Sequence, residues 1–332
     1  MNQIERLENC SANSIPEEVF TSTEPLILKG LVASWPLVHA GNESAFAAAH
    51  YIRSFDRGVP LTVYQGDPDI DGRIFYNEEF TGFNFERTRQ PLGQVLDKIF
   101  DVMGQAVPPT YYVGSTMVDH WLPGFRAEND INLGERENLT SIWLGNRSRI
   151  AAHYDFPNNI ACSVVGRRRV TLFPPQQASN LYVGPLEFTP SGQPISLVDS
   201  SQPDFTRFPK YQAALDASFS VELEPGDAVF IPSMWWHHIE ALESFNVLVN
   251  YWWRSTPAYL GSPLNALHHA VMSLRDLPRE QRAVWKEIFD RYVFNDDEHA
   301  FDHIPIHARG ILSGVDESSA NAIRAQLLKF LK

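Results

Sequence analysis

Between residues 111 and 257 the chain reads as a run of short strands broken by Gly, Pro, Asn and Asp. Ser141–Leu144, Ile160–Val165, Arg168–Phe173, Ser218–Leu223, Ala228–Ile231 and Asn246–Trp253 each carry β-branched or aromatic residues at strand spacing. Such a series lacks the regular helical crossovers of a parallel sheet, so it predicts a mainly β sandwich or barrel. Upstream, residues 1–110 mix short elements: residues 24–28 read as a strand ending at Gly30, and Ala45–Ser54 as a short helix. Beyond Pro257 the period changes. Leu264, Leu267, Val271 and Leu274 recur at helical spacing, as do Val284, Ile288 and Tyr292, and Asp316 is placed to cap a last helix carrying Ile323, Leu327, Phe330 and Leu331. The expected organisation is therefore a β domain over residues 1–257, with its core at 110–255, and a helical extension over 258–332.

Charge and cysteine content narrow the function classes. A net charge of −13 disfavours a phosphate-binding surface, so nucleic acid is not an expected partner. Cys10 and Cys162 cannot form a disulfide framework, and no export segment or membrane-length apolar run is visible. The expected compartment is the cytoplasm, with no membrane partner. Glycine-rich phosphate loops, nucleophile elbows and paired-cysteine metal motifs are absent from the sequence.

One constellation carries chemistry. His153 and Asp155 lie two apart at the end of a strand pattern, so their side chains share a face. A third ligand is offered downstream, where Pro225-Gly226-Asp227 makes a turn, Ala228–Ile231 a strand, and Trp235-Trp236-His237-His238 follows Pro232. Two histidines and one carboxylate with open positions make the facial set of non-haem iron(II) oxygenases. A closed zinc site would more often recruit cysteine. By itself the His-x-Asp triplet reads as a surface turn, and Trp-Trp-His-His as a buried aromatic strand; their combination favours a metal site. Alternation groups His237 with Trp235 and Ile239 and turns His238 to the other face.

These residues resemble the JmjC/cupin-like (cupin_8) family of iron(II)- and 2-oxoglutarate-dependent oxygenases, nearest in pattern to its asparaginyl hydroxylases. The matching positions are His153-Tyr154-Asp155, Asn159, Gly166, Leu172-Phe173-Pro174-Pro175, Pro225-Gly226-Asp227, Ile231-Pro232, Trp235 to Glu240, and Asn250-Tyr251-Trp252. The resemblance implies a double-stranded β-helix (jelly-roll) core with flanking helices. It also implies Fe(II) held by His153, Asp155 and His237, with 2-oxoglutarate and O2 as co-substrates. The family's co-substrate lysine falls on Arg168, whose guanidinium suits a carboxylate. If all three of Arg167, Arg168 and Arg169 instead formed a solvated face, that assignment would fail. Tyr112, Asn159 and Asn250 match residues near the co-substrate, and Ile239 shares the face of His237. Ile150 stands where the family often has Thr, which removes one expected hydrogen bond. Trp252 shares the face of Asn250 and either walls the iron pocket or packs in the core. Tyr154 points away from the metal and is a candidate for the substrate entrance.

The implied reaction couples oxidative decarboxylation of 2-oxoglutarate, to succinate and carbon dioxide, with hydroxylation of a C–H bond. The expected substrate is a protein or peptide side chain. A small-molecule hydroxylase and a non-catalytic metal-binding or sensor module are the alternatives. The resemblance further implies a homodimer through the C-terminal helices, against packing of those helices on their own barrel.

Overall fold

The structure is a computed structural model and describes residues 3–190 and 192–331. It divides into two units, Met1–Arg254 and Ser255–Lys332. The first contains strands β1 (Glu5–Leu7), β2 (Leu26–Leu28), β3 (Leu61–Gly66), β4 (Arg73–Ile74), β5 (Glu86–Gln90), β6 (Thr110–Met117), β7 (Asn138–Gly145), β8 (Ser148–Tyr154), β9 (Asn158–Val165), β10 (Arg168–Phe173), β11 (Phe219–Leu223), β12 (Ala228–Ile231), β13 (Trp236–Ala241) and β14 (Asn246–Trp253).

Two sheets share these strands. The larger runs β1-β2-β12-β9-β14-β7-β6-β3-β5 and the smaller β11-β10-β13-β8-β4. From β7 to β14 the chain passes back and forth between the sheets, staying in the smaller one only from β10 to β11. That winding, with antiparallel neighbours throughout the core strands, is the jelly-roll anticipated from the sequence. The apolar residues between the sheets include Ala161, Val170, Leu172, Val229, Ile231 and Leu248. A second, larger core, with Trp35, Leu37, Ile52, Leu96, Phe230 and Tyr251, joins the flanking helices Pro36–Glu43, Ala45–Arg53 and Leu92–Asp101 to the β unit.

The sheets take in more of the chain than a core at 110–255. β3 and β5 extend the large sheet through antiparallel pairs, and β4 runs parallel to β8, with Ile74 opposite Ile150. β3 explains its own recruitment: Leu61 and Val63 alternate with exposed Thr62, so one face is buried.

Two turns pin the core. Gly166 joins β9 to β10 at φ 74°, where an added Cβ would strike the Asn246 side chain and the Phe245 carbonyl. After Pro225-Gly226, the Asp227 carboxylate accepts from Lys29 Nζ at 2.6 Å and from the Gly30 and Glu224 amides at 3.0 and 3.1 Å. This ties the start of β12 to the end of β2.

The second unit is helical: Pro263–Leu274, Arg279–Tyr292 and Glu317–Phe330. Asp316 caps the last helix through a reciprocal box with Ser319. Among the described residues of this unit Ala320 alone is buried, and large side chains such as Met272, Trp285, Leu328 and Phe330 are exposed. No helix among the described residues is long and apolar enough to cross a membrane.

Candidate metal centre

His153 and His237 stand opposite each other because β8 and β13 pair antiparallel with those two residues in register. Asp155 follows β8 directly. The ligand atoms of His153, Asp155 and His237 all lie within 4.8 Å of one another, and His237 Nε2 is 3.7 Å from Asp155 Oδ2. All three residues also line a cavity, so the cluster opens directly onto it.

Backbone carbonyls fix both rings. His153 Nδ1 donates to Ala151 O at 2.9 Å and His237 Nδ1 to Trp235 O at 3.0 Å. A carbonyl can only accept, so the proton sits on Nδ1 and each Nε2 turns a lone pair to the site. Burial, with His153 beside it, lowers the His237 pKa to about 4. It is therefore neutral, the ligating form, near neutral pH. The Asp155 segment is held from outside the site. Its carbonyl accepts the Met234 amide at 2.9 Å, Ser233 Oγ donates to Phe156 O at 2.6 Å, and the Ser233 amide donates to Asn158 Oδ1 at 2.9 Å.

His238 is turned away. It is buried opposite Thr171 and does not line the cavity. Its Nε2 stands 4.0 Å from Glu240 Oε1, beyond hydrogen-bond reach.

A cavity of about 360 Å³ opens beside the triad. Arg168, Tyr112, Asn159, Asn250, Trp252 and Ile239 all line it. The three arginines split by strand parity. Arg167 and Arg169 lie on the solvent side against Glu222, Glu240 and Glu243. Arg168 is buried at 3% exposure, and among the described residues it pairs with no carboxylate; its Nε has no partner. Burial alone lowers it to about 10, still charged at neutral pH. Tyr112, near Arg168, is pushed well above the ordinary phenol range by burial. A buried guanidinium without an acid is costly unless a ligand supplies one, so this end of the cavity fits a carboxylate. Asn250 Nδ2 donates to Asn159 Oδ1 at 2.8 Å, leaving Asn250 Oδ1 unpaired.

A β-bulge sets the near wall. Two steps along β13, from His237 to Ile239, match three along β8, from His153 to Ile150. Ile150 and Ala151 consequently both face the cavity, which strict alternation from His153 would forbid. Tyr154 is a correction to the sequence reading. It does not line the cavity but packs edge-on against Trp236, ring centroids 4.9 Å apart. Its parity sends it behind the sheet, into a cluster with Phe173, Leu181 and Tyr211.

The sequence reading missed Trp143, Tyr64, Thr62, Ser115, Gln193 and Ile195 on the cavity wall. Trp143 lies on β7 opposite Leu248 of β14, a cross-strand pairing that the sequence pattern does not mark. The others come from β3, from the β6 rim and from the connection after β10, and nothing local marks them as neighbours of His153.

The fold and the site together define a double-stranded β-helix protein with a two-histidine, one-carboxylate centre at the mouth of its barrel. The cupin-like domain family matches residues 12–259, and the chain belongs to it. The lysine-specific demethylase JMJ31 of Arabidopsis thaliana is 35% identical over 36% of this chain and 22% of its own length. The tRNA wybutosine-synthesizing protein 5 of Gallus gallus is 31% identical over 39% of this chain and 42% of its own. HSPB1-associated protein 1 of Rattus norvegicus is 32% identical over 36% of this chain and 25% of its own. The chain thus spans less than half the length of each of these relatives.

Proposed function

We propose that this protein is an iron(II)- and 2-oxoglutarate-dependent oxygenase that hydroxylates a C–H bond of a protein or peptide side chain. The observation that carries this is the pairing, in one cavity, of an open His153–Asp155–His237 centre with the acid-free, buried Arg168. The relatives' names point to different targets, lysine in one and a tRNA product in the other, so they favour no single substrate.

His153 and His237 would hold the iron through Nε2, their rings locked by the Ala151 and Trp235 carbonyls, and Asp155 would supply the anionic ligand. When bound, iron(II) with 2-oxoglutarate and dioxygen supplies the oxidising power for hydroxylation. Arg168 would take the distal carboxylate of the co-substrate, with Tyr112 beside it. The Asn159–Asn250 pair keeps one amide oxygen unpaired on the wall. The apolar side chains of Ile150, Ile239 and Leu248 keep bulk water from the bound groups. At about 360 Å³ the cavity is near the small end for ligand sites. Shared with a co-substrate, it suits one inserted side chain better than a large metabolite.

The test is succinate release from 2-oxoglutarate under oxygen with added iron(II), alongside metal analysis. Iron-dependent succinate in the wild type, lost together with bound metal in His153→Ala and Asp155→Ala, is the expected result. No turnover, with metal content unchanged in both variants, removes the reading.

For the C-terminal helical unit the proposal is self-association into a homodimer. Exposed Trp285, Leu328 and Phe330 support it.

A further inference from the structure

The cavity beside the triad is electrically sparse. Arg168 brings its one fixed positive charge and Asp155 its one negative charge, and both imidazoles enter as neutral ligands. The polar remainder of the described lining, Thr62, Ser115 and Gln193 among it, carries no charge. A divalent ion and a dicarboxylate cancel each other, so the loaded site closes to neutrality. Among the described lining residues no further carboxylate is left to meet another cation.

Three other polar atoms on this wall are buried and unpaired: Trp143 Nε1, Trp252 Nε1 and Asn250 Oδ1. They are two donors and one acceptor, all neutral. Nor do the aromatic residues form an open box for an ammonium group. Trp143 and Trp252 meet edge to face, centroids 5.9 Å apart at 75°. Tyr64 stacks on Phe85 at 4.8 Å and already has the Arg87 guanidinium 5.2 Å from its ring centre.

We propose that the substrate group admitted to this cavity is uncharged, an amide, hydroxyl or aliphatic side chain, and that ammonium and guanidinium groups are excluded from it. This rests on the oxygenase reading above, because the charge balance includes iron and 2-oxoglutarate. Bringing a cation into a charge-balanced, confined site strips part of its hydration and offers it no carboxylate in return, only neutral acceptors such as Asn250 Oδ1. The exclusion is therefore electrostatic rather than steric, and an added carboxylate should lift it.

The experiment measures binding to the full chain loaded with Mn(II) in place of iron, so that no turnover intervenes. The probes are N-oxalylglycine, an amide analogue of 2-oxoglutarate, and two derivatives carrying a butyl or a 4-ammoniobutyl arm on the glycine carbon. Calorimetry is expected to show the butyl arm binding at least ~10-fold tighter than the ammonium arm. In Gln193→Glu, and separately in Thr62→Glu, that gap should shrink to within ~3-fold. An ammonium arm that binds the wild type as tightly as the butyl arm overturns the proposal. So does a gap that persists unchanged in both carboxylate variants, since arm shape would then explain it. Failure of N-oxalylglycine itself to bind the Mn(II)-loaded chain has a different signature: it removes the oxygenase reading, and the charge rule with it.

Discussion

His153 and His237 face each other across the β8–β13 ladder with ring centroids 4.2 Å apart and planes tilted by 54°. Their Nδ1 atoms donate to carbonyls two residues back in their own segments. The same local device therefore orients both rings, and each imidazole depends on its own segment rather than on the other. Removing either one should leave the barrel folded. His237→Ala is expected to lower metal affinity by more than ~100-fold with an unchanged circular dichroism spectrum. His238→Ala should retain the metal, and loss of metal there would reverse the choice of ligand.

Arg168→Met separates binding from stability. The guanidinium is buried with no acid among the described residues, and replacing an unpaired buried charge by an apolar side chain removes a penalty. The apoprotein of this variant should melt higher than the wild type. Its affinity for 2-oxoglutarate should fall by about 100-fold, and Arg168→Lys should recover most of the loss. A lower melting point with unchanged affinity would show that the arginine serves packing alone.

The clamp formed by Ser233 predicts a graded defect. Ser233→Ala deletes the donor to Phe156 O and should cost about 0.5–1.5 kcal/mol of stability, since the pair is only part-buried. Metal affinity should drop by ~10-fold while the optical spectrum of any bound Co(II) keeps its coordination pattern. Unaltered affinity would mean that the Met234 amide suffices to place Asp155.

Glu240 sets the acid limb. Beside His238, and accepting from Ser201 at 2.8 Å and Arg169 at 3.2 Å, its carboxyl is lowered to about 2. In the unfolded chain it titrates near the ordinary glutamate value of about 4.3. Between these values the unfolded state binds more protons, so this contribution is present above about pH 4.3 and fades as pH falls toward 2. Denaturant melts of Glu240→Gln against wild type should converge at low pH and separate above pH 5. Parallel curves would remove the claim.

Self-association of the helical unit is checked by sedimentation across micromolar concentrations. A dimer that dissociates when Trp285→Lys and Phe330→Lys are combined is expected. A folded monomer throughout would remove it.

Strand periods made much of the architecture legible. Arg168–Phe173, Ala228–Ile231 and Asn246–Trp253 have the same bounds in the sequence reading and in the structure, because each is rich in β-branched or aromatic residues and sits between clear turns. His153, Asp155 and His237 were legible as well, since ligand chemistry marks them and parity brings them to one face. Thr62, Tyr64 and Gln193 were not. They reach the cavity by sheet order and by a long connection, and no local period encodes which distant segments become neighbours. Tyr154 failed for a related reason. Parity turned it away from the metal correctly, but only the packed cluster around Trp236 shows what lies behind the sheet.

The bulge in β8 has a consequence for how such a site can change. It lies between His153, one of the three candidate ligands, and Ile150, which also lines the cavity. The two ends of this strand are thus geared independently. Losing or gaining a residue at Ala151–Ala152 would exchange the side chain presented at position 150 while leaving the ligand pair in place. A barrel built this way can revise what it grips at one end without disturbing the chemistry at the other. Alignments that count every second residue back from His153 will read that revision on the wrong side of the wall.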